Sequence, residues 1–282
     1  MEAQQQKPIS WIIYGKIAGG VILGWSFWLC MLILALRWVD PSFTAFTLQE
    51  EWNELGKERY SLSDNWLRTD EIPEHLKLAV VASEDQRFYE HWGLDMAAID
   101  KALEEKEKEG RIRGASTITQ QVAKNLFLWP AQSYFRKGVE AIIAVLIELL
   151  WTKDRILEVY LNIAEFGPGM FGVETASQFY YGKSGTRLTP KESARMATVL
   201  PNPKIIEPEP PSEYVLERSR WILRNMEQLS GISYIPKPKP KKPTLPDSVV
   251  FQRDTLSMFD SIPNIKLSDS LKPAALDSIR RF

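Results

Sequence analysis

From Ile17 to Leu36 the chain runs for twenty residues without a charge, between Lys16 and Arg37. As a helix this run would extend about 30 Å, the thickness of a bilayer's hydrocarbon core. Trp11, Trp25, Trp28 and Trp38 add aromatic character, with Trp11 and Trp38 at the two ends where interface belts form. A cleaved signal peptide would need a shorter apolar run and a small-x-small site, which Ala35-Leu36-Arg37 does not offer. Residues 17–37 are therefore expected to form one uncleaved transmembrane helix. Lys7, Lys16 and the amino terminus outweigh Arg37, which predicts a cytoplasmic tail over residues 1–16 and an external body.

Beyond the anchor the period of apolar positions is helical. Pro73 to Glu84 opens with proline at a first-turn position and carries an apolar stripe. Asp95 to Glu109 has an acidic start and a glycine stop at Gly110. Helices are predicted over Thr117–Leu128, Ser133–Trp151 and Asp154–Glu165, the last two split near Thr152. Thr189-Pro190 to Leu200 and Ser212 to Leu229 follow, ended by Pro201 and Gly231. No alternating pattern of six or more residues marks a strand, so the fold class is mainly α. The body is expected to span residues 45–231. From Ile235 to Pro243 the chain alternates proline and lysine, which predicts an extended linker in a 232–282 tail of unknown role.

Composition narrows the chemistry. The chain has 282 residues, with 35 basic against 36 acidic side chains, which excludes a footprint for nucleic acid. The single cysteine, Cys30, rules out an intramolecular disulfide and a cysteine-rich zinc site. With only His75 and His91, a histidine-based metal centre is not expected. Two motif fragments fail. Ser63-Asp64-Asn65 matches an element of penicillin-binding sites, but the chain contains no S-x-x-K. Gly182-Lys183-Ser184 would need a glycine where Ser177 stands to make a P-loop.

The chemistry concentrates between Val80 and Glu140. Glu84 follows the apolar run Leu78–Ala82, so partial desolvation should raise its pKa and suit it to general-base work. His91, isolated from other catalytic types, reads as a packing or hydrogen-bonding residue. The segment from Gly114 to Asn125 supplies the hydroxyls of Ser116, Thr117 and Thr119 and the amides of Gln120 and Gln121. Ser116 or Thr117 would cap the following helix, and the backbone amides of that cap could also face an anion. Lys124 then precedes an apolar knob, Leu126-Phe127-Leu128-Trp129-Pro130, which would pack in the core or dip into a bilayer surface. Arg136 and Lys137 stand ahead of Glu140 at the head of a long helix, the poorer order for an ion pair and the wrong end for cations. A phosphate-bearing ligand would offset that arrangement.

These ordered motifs resemble the monofunctional biosynthetic peptidoglycan transglycosylases, family 51 glycosyltransferases that share their domain with bifunctional penicillin-binding proteins. The likeness runs from about Ile72 to Leu229. It rests on Glu84-Asp85 with Phe88, His91, Gly93 and Asp95; on Gly114-x-Ser116-Thr117-x-Thr119-Gln120-Gln121 with Lys124; and on Arg136-Lys137-x-x-Glu140. Ile156-Leu157-Glu158-x-Tyr160-Leu161-Asn162 and Phe166-Gly167-x-Gly169 with Gly172 complete it. The resemblance implies a lysozyme-like, two-lobed fold with lipid II and the growing glycan chain as substrates. By it, Glu84 would be the base and Glu140 would assist departure of the leaving group, as a ligand of Mg²⁺ or Mn²⁺. Lys124, Arg136 and Lys137 would bind pyrophosphate, and Asp85, Phe88, Ser116, Thr117, Gln120 and Gln121 would contact substrate. It also implies the bacterial cytoplasmic membrane as location, with other wall-synthesis and division proteins as partners. Many members carry an arginine four residues before the Arg-Lys pair, where this chain has Gln132. A lysozyme-like glycan cleaver and a catalytically silent wall scaffold are the alternatives.

Overall fold

The computed structural model describes residues 11–48, 62–109, 114, 116–129 and 133–235. The proline- and lysine-rich tail beyond residue 235, Gln132, Pro130 and most of residues 1–16 lie outside them.

The N-terminal apolar run forms a long helix, α1 (Trp11–Ala35), which is exposed over most of its length. Its stretch from Tyr14 to Ala35, mean hydropathy 2.1, is long and apolar enough to cross a membrane, as a signal sequence also is. The end of α1 is joined to the body by side chains. Trp151 Nε1 donates to the Ile33 carbonyl at 2.7 Å, and Arg37 Nη1 donates to that of Leu150 at 2.7 Å. Arg155 donates to the carbonyls of Leu36 and Val39 at 3.0 and 2.9 Å, and pairs with Asp40 at 2.7 Å. A guanidinium at a helix C-terminus satisfies carbonyls that have no partner within the helix and complements its dipole.

The body is helical as its periodicity predicts: α2 (Glu74–Glu84), α3 (Met96–Glu109), α4 (Ile118–Phe127), α5 (Tyr134–Leu150) and α6 (Lys153–Ile163). A two-stranded antiparallel hairpin, β1 (Glu165–Gly167) and β2 (Met170–Phe171), leads into α7 (Val173–Tyr181). Then come α8 (Pro190–Val199) and α9 (Glu213–Ser230). Side-chain caps set most of these starts. Thr117 and Thr189 form capping boxes with Gln120 and Glu192, while Ser133, Thr152 and Ser212 each accept one backbone N–H. Such caps are each worth about 1 kcal/mol.

Two packing groups emerge. Helices α2, α8 and α9 pack on one another, and α4 packs on α5 and α6. The core beneath them includes Leu76, Val80, Ile118, Val122, Ile147, Leu157 and Met196, all with no exposed surface. Asn162 ties α6 to the segment ahead of α2, donating to the Leu67 carbonyl and accepting from the Leu67 N–H, both at 2.8 Å. The two failed motifs have plain local roles. Ser63-Asp64-Asn65 lies in a 3₁₀ turn, Gly182 ends α7 in the left-handed conformation, and Lys183 pairs with Glu192 at 2.7 Å. The apolar knob is mainly core: Leu126 and Leu128 are buried, Phe127 is half-buried, and Trp129 is exposed.

Candidate active site

A cleft of 730 Å³ opens where the two packing groups meet, with α3 as a third wall. Ser83 and Glu84 come from the end of α2, Thr117, Gln121 and Lys124 from α4, and Arg218 and Trp221 from α9.

Glu84 is the last residue of α2, with the buried turn Ala79–Ala82 behind it. Its carboxylate accepts from Ser83 Oγ at 3.2 Å and from Gln121 Nε2 at 3.0 Å. Desolvation nevertheless dominates and raises its pKa above the ordinary 4.5, against the lowering pull of these donors and of Arg218. A raised pKa makes a carboxylate a stronger proton acceptor. Asp85 beside it is 7% exposed, and its oxygens accept from His91 Nε2 at 2.9 Å and from the Ile118 N–H at 3.0 Å. Asp85 thereby joins the end of α2 to the start of α4, and His91 is structural, as expected.

The start of α4 is held on all sides. Thr117 Oγ1 accepts from the Gln120 N–H and donates to the Gly93 carbonyl at 2.6 Å, while Gln120 Oε1 accepts from the Thr117 N–H. Gly93 has φ +85°, and a Cβ there would meet the Ala144 carbonyl oxygen at 2.9 Å, so the backbone contact requires glycine. Thr119 Oγ1 donates to Glu148 at 2.6 Å, and Glu148 also takes Lys153 at 2.7 Å.

The cations gather at the other side of α4. Lys137 Nζ donates to Ser116 Oγ at 2.8 Å and also to Glu140, whose side chain is almost completely buried. Arg136 lies 3.7 Å from the second Glu140 oxygen and is 8% exposed, yet its Nε and Nη1 have no hydrogen-bond partner. Buried guanidinium donors are rarely left without hydrogen bonds, so Arg136, ion-paired with Glu140, keeps donors to spare. Lys124 lies over the Phe46 ring at 5.5 Å. Its pKa is lowered first by burial; Glu140 and Glu84 act to raise it, Arg136 and Lys137 to lower it further. The same ammonium thus senses both carboxylates and both other cations.

The structure therefore brings Glu84, Gln121, Ser116 and Lys124 to the wall of one cleft, with Lys137 bonded to Ser116 and joined through Glu140 to Arg136. Asp85 and Thr117 also line the cleft, with the polar atoms of Thr117 and Gln120 engaged in their cap, whereas Phe88 is fully buried beneath Lys153, whose ammonium sits 4.3 Å from the ring centroid. Arg218 and Trp221, stacked at 4.0 Å, were not legible in the sequence as site residues. An arginine and a tryptophan one turn apart on an amphipathic helix carry no distinguishing local signal.

A desolvated carboxylate and a buried lysine share this cleft, with two further cations held on Glu140 nearby. A model of the transglycosylase family matches residues 51–227. The biosynthetic peptidoglycan transglycosylase of Ectopseudomonas mendocina is 46% identical over 222 residues, covering 77% of this chain and 92% of its own. That of Stutzerimonas stutzeri is 47% identical over 216 residues, covering 76% and 88%, and that of Xanthomonas campestris pv. campestris is 48% identical over 209, covering 73% and 85%. The chain belongs to the transglycosylase family.

Proposed function

We propose that the protein is a peptidoglycan glycosyltransferase, polymerising lipid II into β-1,4-linked glycan strands with release of undecaprenyl pyrophosphate. The observation that carries this reading is the cleft lined by desolvated Glu84 and by Lys124, with Lys137 hydrogen-bonded to Ser116 of its wall and Arg136 close enough to act on Lys124. Glu84 takes the proton of the acceptor GlcNAc 4-hydroxyl. The freed oxygen attacks C1 of the donor MurNAc, the C1–O bond to the diphosphate breaks, and the anomeric centre inverts in one displacement. A diphosphate leaves without protonation once its charge is neutralised, so cations take the place of the acid a hydrolase would need. Lys124, Lys137 and the Arg136 donors without a hydrogen-bond partner are assigned to that charge. Glu140, holding Arg136 and Lys137 together, keeps two like charges adjacent before substrate arrives.

A divalent cation finds no resident cage here. Among the described residues no three His, Cys, Asp or Glu side chains gather as a metal site, and both Glu140 oxygens already face cations. Mg²⁺ or Mn²⁺ would have the diphosphate oxygens as its main ligands. Asp85 and Phe88 act in this scheme by supporting Glu84 and the α4 cap.

We assign α1 as an uncleaved, single-pass anchor in the bacterial cytoplasmic membrane, with its amino terminus inside. The grip of Arg155, Trp151 and Arg37 on its end supports this, since a removed segment would leave those donors unpaired. Exposed Phe135, Ile142 and Leu149 along α5, which packs beside α1, add an apolar face suited to the same bilayer. Other wall-synthesis and division proteins are assigned as partners on the resemblance alone. Purified protein mixed with lipid II should yield polymer, and the same protein should leave finished wall undigested; the reverse pattern would make it a glycan cleaver.

A further inference from the structure

The segment Ile156–Asn162 matches a family motif, yet none of its side chains lines the cleft. One of them reaches the base through an intermediary. Tyr160, on α6, is 1% exposed, and its hydroxyl donates to Gln121 Oε1 at 3.0 Å. Gln121, on α4, donates from Nε2 to Glu84 Oε2 at 3.0 Å. The chain of donors has only one consistent direction. A carboxylate only accepts, so the amide must present Nε2 to Glu84, and its oxygen is then left for the phenol.

We propose that Tyr160 is a positioning residue for glycosyl transfer, fixing the amide of Gln121 so that its N–H, not its oxygen, faces Glu84. The proposal rests on Glu84 being the base. A free glutamine amide has two orientations of similar shape, and one would turn an acceptor toward the carboxylate. With Tyr160 donating from a site closed to water, that orientation loses its partner and leaves the phenol unpaired. Burial pushes the Tyr160 pKa well above the usual phenol value, so the donor persists over the whole working range. The other groups that act on Glu84 are Ser83 and Asp85 from α2 and Arg218 from α9, with Lys124 coupled to it from α4. None of them touches the Gln121 oxygen in the hydrogen bonds of the described residues.

The test is the pH dependence of kcat/KM on lipid II for Tyr160→Phe, Gln121→Ala and the double variant. Losing the oriented N–H removes one hydrogen bond that favours the carboxylate, so the acid limb should move up by about one pH unit in Tyr160→Phe. The plateau should fall roughly 5- to 10-fold, and Gln121→Ala should match it. Because Tyr160 acts through Gln121, Tyr160→Phe should add nothing in the Gln121→Ala background. Independent, multiplying losses, or an unmoved acid limb in a folded Tyr160→Phe protein, would overturn the proposal. Should that variant not fold, 3-fluorotyrosine at position 160 keeps the ring and strengthens the donor; the limb should then shift down, and an unmoved limb overturns the proposal. Glu84→Gln separates the two levels. If it retains turnover, the base assignment has failed; if it is inactive while the cycle is additive, only the role of Tyr160 has.

Discussion

Replacing Glu84 by glutamine changes charge and proton affinity with almost no change of shape. A glutamine there can accept from Gln121 through its oxygen and donate to Ser83, whose hydroxyl turns freely, so the local bonds survive. What is lost is the proton acceptor, and no neighbour can replace it. Asp85 adjoins Glu84, but its oxygens are held by His91 and by the Ile118 N–H. Removal of a general base costs about 10²–10⁴-fold, and the absence of a substitute places this variant in the upper half, roughly 4 to 5.5 kcal/mol of transition-state stabilisation. The assay is kcat/KM for lipid II polymerisation in detergent, with thermal unfolding alongside. Stability gives an independent check. Glu84 ionises near 4.5 when unfolded and at higher pH when folded, because burial penalises the charge. The folded state therefore binds more protons in that window, and stability falls as pH rises from about 4.5 through the raised native value. Glu84→Gln lacks this slope, so its Tm should gain on the parent over that window and stay ahead above it. Retention of more than about a tenth of the parent rate, below the weakest contribution expected of a general base, would refute the assignment. A Tm difference independent of pH would refute the desolvation.

Three further outcomes are expected. Lys124→Ala should cost about 2–3 kcal/mol, roughly 30- to 150-fold in kcat/KM. Because burial lowers the Lys124 pKa, activity should decline on the alkaline side earlier than an ordinary lysine would dictate, and Lys124→Arg should remove that decline from a pH–rate profile. Arg155→Ala leaves Glu158 without its cation and frees the end of α1, which should destabilise the protein by about 3–5 kcal/mol, read as a loss of roughly 6–20 °C in Tm. With Cys30→Ala removing the sole cysteine, a spin label at Ile142→Cys in nanodiscs should relax with oxygen and not with a water-soluble nickel chelate; the opposite result would take α5 out of the bilayer.

The helix starts were readable because they are local chemistry. Thr117, Ser133, Thr189 and Ser212 cap where the sequence suggests, and Gly231 ends α9 in the left-handed conformation. Glu84 was readable because the apolar run that desolvates it lies one turn away in the same helix. The grouping of cations at Glu140 was readable because Arg136 and Lys137 oppose the local preferences of a helix start. Helix α7 and the short hairpin were not anticipated, since two- and three-residue strands carry no period. Phe88 sits in a motif dense with polar chemistry, and only tertiary packing shows that its ring faces the core. Tyr160 and Gln121 are 39 positions apart, Gln121 and Glu84 are 37 apart, and no pattern in the chain joins them.

The junction at Arg155 has a mechanical meaning. A catalytic body on a loose tether would sample many heights and tilts above a surface. Here one guanidinium clasps the carbonyls of Leu36 and Val39, Trp151 clasps Ile33, and Arg37 clasps Leu150, so the junction has no hinge. On the proposed reading of α1 as a membrane anchor, the cleft works at one altitude, like a tool head on a fixed post. The post is graduated in helix units: one residue inserted below the clasp would raise the head by about 1.5 Å and turn it by roughly 100°. Reach toward the membrane is thus set by the length of α1 as much as by the cleft itself.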